Sequence, residues 1–174
     1  MDIVVNFEKI KFESITYGEL NTDEVIRVIK SFLEEEPDGQ YNLVIGTDSH
    51  EKNGTTLSNR TINLVTAILI HRKGFGGKYF WNRRYTSNIH SLREKIYAET
   101  ITSLDFAAGF VPLLKKELNG HSPIYNLEIH IDVGEHGDSR DMIKEVVGMV
   151  VGNGFVAKTK PDAYGASYVA DKHT

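Results

Sequence analysis

The chain has 174 residues, a length that suits one domain with a full hydrophobic core, and its net charge of −4 is modest. It contains no cysteine, which excludes a disulfide framework, a thiol nucleophile and a cysteine-based zinc site. No apolar run approaches the roughly 20 residues that span a bilayer, and the N-terminus lacks the pattern of a signal peptide, so we expect a cytoplasmic protein with no membrane contact.

Residues 1–40 are predicted to form an N-terminal leader that carries one helix. The first part of the leader, residues 3–16, has only a weak strand-like alternation. Asn21 followed by Glu24 is the pattern of a capping box, and apolar residues at helical spacing follow it. We therefore predict a leader at 1–40 and a single globular domain at 41–174.

The domain is predicted to contain strands and helices in the order β-β-β-α-β-α-β-α. The predicted strands are 41–48, 61–71, 78–86, 125–132 and 155–159, of which the second and third form a hairpin. The predicted helices begin at Ser91 with Glu94, at Asp138 or Ser139, and at Pro161. This order indicates an α/β fold with a mixed five-stranded sheet flanked by helices, and it is similar to the order of the ribonuclease H (RNase H) fold.

Two carboxylates stand at the ends of predicted strands. Asp48 closes the first strand of the domain and Asp132 closes the fourth. The RNase H fold places a metal site where its first and fourth strands lie side by side, with a third acid from its first long helix. Two carboxylates brought together repel each other unless a cation, usually Mg²⁺ or Mn²⁺, lies between them. Against this interpretation, Asp-Ser at 48–49 is also ordinary turn chemistry.

The third and fourth acids of such a site have competing candidates. Glu94 follows the Ser91 cap by three residues and is expected to bond the Ser91 amide, so Glu99 is favoured as the third acid. Glu99 also heads a helical stripe that becomes apolar toward the sheet. For the fourth acid, helix geometry favours Asp162, directly after the fifth strand, over Asp171, which lies about 13 Å further along a helix. An acid at position 162 is also an ordinary helix N-terminal residue.

A basic and aromatic segment lies between residues 71 and 95. It carries seven Lys and Arg against one acid, with five aromatic residues interleaved. This composition suits phosphate contact and base stacking, and the alternative is a solvated hairpin whose aromatics pack on the core. With one lysine after the fifth strand, the candidate nucleic-acid contacts are Lys73, Lys78, Arg83, Arg84, Arg93 and Lys160.

Four segments carry a family resemblance. They are Gly46-Thr47-Asp48-Ser49, His130-Ile131-Asp132-Val133-Gly134, the stretch 89–99, and the tail formed by 160–167 and 170–174. They resemble an uncharacterised bacterial family of RNase H-like proteins that are predicted nucleases, from about Tyr41 to the end of the chain. The resemblance implies an RNase H-like fold. Its matching acids are Asp48, Glu99, Asp132 and Asp171, so it favours Asp171 where helix geometry favours Asp162.

Together these observations predict a divalent-metal-dependent nuclease that hydrolyses phosphodiester bonds. Two Mg²⁺ or Mn²⁺ ions about 4 Å apart would be bridged by Asp48, with Asp132 and Glu99 as further ligands. The expected partner is RNA, an RNA/DNA hybrid or structured DNA. The alternative is a catalytically inactive RNase H-like module that binds nucleic acid or protein.

Three histidines could move protons near this site. His136, in the Gly-rich loop after the fourth strand, is favoured as a mobile base, although an exposed loop histidine is an ordinary feature. His50 follows Asp48 by two residues. His130 alternates with two isoleucines, and this pattern favours a position in the core or on the opposite face of the sheet over a role in proton transfer.

Overall fold

The computed structural model describes residues 6–51, 61–87, 89–120, 124–137, 139–165, 168, 169 and 172. In chain order the elements are β1 (Lys11–Ser14), β2 (Gly18–Asn21), α1 (Thr22–Glu34), β3 (Tyr41–Glu51), β4 (Thr61–Arg72), β5 (Gly76–Ser87), α2 (Leu92–Leu118), β6 (Tyr125–His130), a 3-10 turn (Arg140–Met142), α3 (Ile143–Gly152) and β7 (Val156–Lys158). No helix in these ranges is long and apolar enough to cross a membrane.

The strands form one mixed sheet in the order β2-β1-β5-β4-β3-β6-β7. β3, β4 and β5 are antiparallel neighbours, whereas β6 and β7 run parallel to β3. The predicted α/β class and mixed sheet are confirmed, but the prediction of five strands is wrong. β1 and β2 form a hairpin on β5, with Glu13 beside Trp81. Strands of four residues give too little alternation to be recognised in a sequence.

The main core lies on one face of the sheet. Alternate residues of β3 and β4, among them Ile45 and Ile68, are fully buried there against Phe106 and Phe110 of α2. The buried sides of α1 and α3 belong to the same core. The opposite face carries a smaller apolar cluster, in which Val65, Ala67 and Trp81 pack against Val169 of the tail. This second face also receives Asp48, since Asp48 pairs with Val65 across the sheet.

Helix ends follow local side-chain chemistry. The predicted capping box is present at the start of α1, where the Asn21 side chain accepts from the Glu24 amide and the Glu24 carboxylate accepts from the Asn21 amide. Ser91 caps α2 as predicted. Ser139 makes no capping hydrogen bond, and α3 begins later, after the 3-10 turn.

The tail differs from the predicted last helix. Pro161 lies in a turn that spans residues 160–162, and in the described part of the tail helical conformation is found at residues 165, 168, 169 and 172. The Lys160–Pro161 peptide bond is cis. Asp138, Pro123 and the predicted loop around Asn53 lie outside the described residues. The predicted boundary between a leader and a domain at residue 40 stays a prediction.

Tyr41 joins the start of β3 to the end of α1. Its ring is buried, and its hydroxyl lies 3.0 Å from the Glu36 carbonyl oxygen and 3.2 Å from that of Phe32. The last carbonyl groups of a helix have no partner within the helix, so this hydroxyl supplies a missing donor.

We predict that Tyr41→Phe lowers the free energy of unfolding by about 1 kcal/mol, because the buried Phe32 carbonyl oxygen loses this donor, whereas the Glu36 carbonyl still accepts from the Gly39 amide. Urea denaturation followed by circular dichroism measures the difference. Tyr168→Phe, at an exposed tyrosine, is the control and should leave stability unchanged. Equal stability of both variants and the native protein would contradict this role of the hydroxyl.

Candidate functional site

The pairing of β3 with β6 brings two acids to one end of the sheet. The parallel register sets Gly46 beside His130, and two residues further along each chain come Asp48 and Asp132. Asp48 is still within β3, whereas Asp132 lies just beyond the end of β6. Neighbouring strands are about 4.8 Å apart. The paired register ends at Gly46 and His130, so both acids lie just past it at the same end of the sheet.

Asp48 is a buried acid, with 6% of its surface exposed. The Ser49 amide donates a hydrogen bond of 2.8 Å to its Oδ1 atom. Burial raises the pKa of Asp48, and Asp132 adds to the rise, while the Ser49 amide, Lys95 and His50 oppose it. The Asp48 carboxylate is therefore a negative charge in a place that disfavours charge.

Glu99 lies on the inward side of α2 and is 4% exposed. Its Oε1 atom accepts a hydrogen bond of 2.7 Å from the Ser49 hydroxyl and lies 3.7 Å from the Lys95 ammonium. Burial raises the pKa of Glu99 to about 7 against the effects of both partners, and the charges of Asp48 and Asp132 raise it further. The three predicted acids thus lie within electrostatic reach of one another.

Ser49 is the residue that sequence reasoning missed. β3 continues to Glu51, so Ser49 is a strand residue and not part of a turn. Alternation then turns its side chain toward α2 and away from the face of Asp48. Ser49 consequently donates its amide to Asp48 and its hydroxyl to Glu99, and so ties the two acids together.

Asp132 is partly buried and lies in a tight turn. The Val133 amide bonds the Ile131 carbonyl at 2.8 Å around it. Its Oδ1 atom is 2.6 Å from the Lys160 ammonium, and the two side chains are 22% and 53% exposed. Lys160, predicted as a phosphate contact, is therefore an ion-pair partner of the acid cluster.

Of the other predicted residues, Asp162, His136 and Glu94 are in the described part of the chain. Asp162 lies in the turn after Lys160, where its amide donates to the Thr159 carbonyl, and its charge acts on His130. Asp171 lies outside the described residues. His136 is exposed in the loop that follows β6. The Glu94 carboxylate accepts from the His90 amide, so the prediction of a bond to the Ser91 amide is wrong.

The remaining two histidines differ in their surroundings. His130 is buried, with Nε2 at 3.0 Å from a Glu128 oxygen and Nδ1 accepting from the Gly165 amide. Burial lowers the pKa of His130. This ring is therefore buried beneath the tail, opposite the main core that contains Ile129 and Ile131. His50 is partly exposed, and its Nε2 atom is 4.0 Å from Asp48 Oδ2.

The acid cluster, defined as Asp48, Glu99 and Asp132, has the donor chemistry of a hard divalent cation. All its donors are carboxylate oxygens. A bound cation would offset the free-energy cost of burying the negative charges of Asp48 and Glu99. Within the described ranges, however, no group of three or more Asp, Glu or His side chains is arranged to hold a metal ion. The carboxylates are held instead by Ser49, Lys95 and Lys160.

The predicted nucleic-acid contacts from 71–95 do not share one surface. Alternation along β5 places Arg83 on the face of Trp81, where it pairs with Glu13 at 2.6 Å. Arg84 points to the opposite face, where its charge interacts with that of Asp105 on α2. The other three are Lys78 over the ring of Tyr17, Arg93 paired with Glu145, and Lys73 exposed in the turn before β5.

Comparison with known proteins gives a consistent result. A family model described as Ribonuclease H-like matches residues 24–174. The chain is 32% identical over 174 residues to a protein of Bacillus subtilis (strain 168) that bears the name Uncharacterized protein YkuK, covering 94% of this chain and 96% of that protein. No solved structure matches the chain significantly.

The raised pKa of Glu99 makes stability depend on pH. Between its ordinary pKa of 4.5 and about 7, the folded protein retains a proton that the unfolded chain has lost, so stability falls as pH rises through this window. We predict that Glu99→Gln, which has no proton to lose, decreases this fall by on the order of 2 kcal/mol.

Urea denaturation at about pH 5 and about pH 8, without divalent metal, measures the effect. Glu94→Gln is the control, since Glu94 is an exposed acid of the same helix. A pH dependence of stability that is the same in Glu99→Gln and in the native protein would contradict the burial of a destabilised carboxylate.

Proposed function

The chain belongs to the Ribonuclease H-like family, and we propose that it is a divalent-metal-dependent nuclease that hydrolyses phosphodiester bonds. The observation that carries this proposal is the acid cluster at the common end of β3 and β6. Asp48 and Glu99 are buried there with raised pKa values, although nothing in the packing of an ordinary domain requires two buried acids.

The acid cluster would hold Mg²⁺ or Mn²⁺ through its carboxylate oxygens. A divalent ion supplies a Lewis acid and an activated water for attack on phosphorus. The contribution of the chain is to fix the ligands in advance. Ser49 holds Asp48 and Glu99 with two hydrogen bonds from one residue, and burial keeps bulk water away from both.

Nucleic acid is the proposed partner, as RNA, an RNA/DNA hybrid or structured DNA. Lys95 and Lys160 are the cations that touch the acid cluster in the described residues, and both are partly exposed. Ammonium groups at such an edge suit phosphate oxygens next to a metal. His50, at the margin of Asp48, and His136, in the exposed loop, stay candidates for proton transfer.

A second function is favoured by one observation. In the described part of the chain, the acids are not arranged as three ligands of one ion. A module that binds nucleic acid or protein without turnover would need no such arrangement. It predicts nucleic-acid binding that survives Asp48→Asn and is independent of Mn²⁺.

We predict that Mn²⁺ stabilises the native protein and that Asp48→Asn abolishes most of this gain. A ligand at a hundred times its dissociation constant adds about 2.7 kcal/mol to the free energy of unfolding, which a thermal melt detects readily. Asp105→Asn is the matched control, because Asp105 is an exposed acid of α2 that belongs to no part of the cluster.

Cleavage is measured on labelled RNA, hybrid and junction substrates with Mg²⁺ or Mn²⁺. The native protein should release products, and Asp48→Asn should be slower by about a hundredfold or more. Binding of Mn²⁺ without cleavage of any of these substrates would contradict the nuclease, and nucleic-acid binding that does not depend on Mn²⁺ would favour the binding module.

A further inference from the structure

One ion pair of the acid cluster differs from the other contacts. Lys160 Nζ lies 2.6 Å from Asp132 Oδ1, closer than the 3.7 Å between Lys95 and Glu99. Such a short distance is that of a direct ion pair between a buried carboxylate oxygen and the ammonium. The ammonium therefore occupies an oxygen that a metal ion at Asp132 would need.

The backbone of Lys160 is held beside Asp132, and its side chain reaches toward solvent. The Lys160 amide donates to the Val133 carbonyl at 2.8 Å, directly beside Asp132. Gly134 allows this approach, since a side-chain carbon there would lie only 3.3 Å from the Lys160 Cβ atom. The four-carbon stem beyond is flexible, and the side chain is half-exposed.

Electrostatic competition for Asp132 would determine how Lys160 responds to a divalent ion. The ion and the ammonium would compete for one carboxylate and repel each other at a few ångströms. The ammonium can swing outward without moving the backbone that anchors it. A phosphate oxygen beside the metal is the anion that it would meet in a nuclease.

We propose that Lys160 is an exchangeable counterion: it neutralises Asp132 in the free protein, yields Asp132 to the divalent ion, and then binds a phosphate oxygen of the substrate. The inference rests on the proposed function and adds to it a coupling between metal and substrate. Lys160 lowers the affinity for metal alone and raises the affinity for nucleic acid once metal is bound.

The test compares Lys160→Met with the native protein by calorimetric titration with MnCl₂ alone. The variant should bind Mn²⁺ more tightly, by about twofold to fivefold, because the pair is partly exposed. Lys158→Met is the matched control, with the same change of charge two residues away on β7, and it should bind Mn²⁺ as the native protein does. Lys160→Arg retains a cation and should bind Mn²⁺ no more tightly than the native protein.

The second arm measures binding of a short phosphorothioate RNA with and without MnCl₂ by fluorescence anisotropy. In the native protein Mn²⁺ should raise the affinity for RNA by about fivefold or more, and in Lys160→Met this ratio should fall toward one. Thermal melts verify that each variant is folded.

The outcomes separate the inference from the proposed function. Native binding of Mn²⁺ with equal or weaker binding in Lys160→Met would overturn the counterion role and leave the metal site standing. An unchanged coupling ratio in Lys160→Met would overturn the transfer to phosphate. No binding of Mn²⁺ by the native protein would end both proposals.

Discussion

The burial of carboxylate groups beside one another is the constraint on which this site depends. Asp48 and Asp132 meet because β3 and β6 pair in parallel, and Glu99 is brought to them by the packing of α2 on the sheet. Burial makes the charges of Asp48 and Glu99 unfavourable, as their raised pKa values indicate. An arrangement of this kind persists only when cations or donors compensate it.

The groups that compensate these buried charges include sequence neighbours of the acids as well as a residue that the fold brings close. Ser49 follows Asp48 directly, and Lys95 precedes Glu99 by one helical turn. Lys160 reaches Asp132 from the turn that follows β7, and its backbone amide bonds the Val133 carbonyl. Each acid thus has a donor or a cation as its neighbour. The family membership and the acid cluster together make nucleic acid the natural ligand to examine first.

The long strands and the long helix could be predicted from the periodicity of the sequence. The features that could not be predicted have physical reasons. β3, β4 and α2 are long enough for their patterns to be clear, and the position of Asp48 follows from them. The hairpin of β1 and β2 is too short to recognise. Asp-Ser at 48–49 is equally typical of a turn, whereas the strand runs on to Glu51, so the role of Ser49 does not follow from the sequence. Which cation reaches which acid depends on tertiary contacts that sequence spacing does not contain.

The basic segment shows the limit of composition as a guide. Its charge is real, but a strand sends successive side chains to opposite faces, so Arg83 and Arg84 cannot serve one surface. Its aromatics divide in the same way, with Phe80 buried in the core and Tyr85 60% exposed. The described cations of the segment therefore do not form one basic surface.

The most direct measurement is the anomalous difference density of a crystal soaked in Mn²⁺. We predict a peak within coordination distance, about 2 Å, of carboxylate oxygens of both Asp48 and Asp132, with the Lys160 ammonium displaced from Asp132. A map without such a peak, in which Lys160 still pairs with Asp132 at saturating Mn²⁺, would contradict the account.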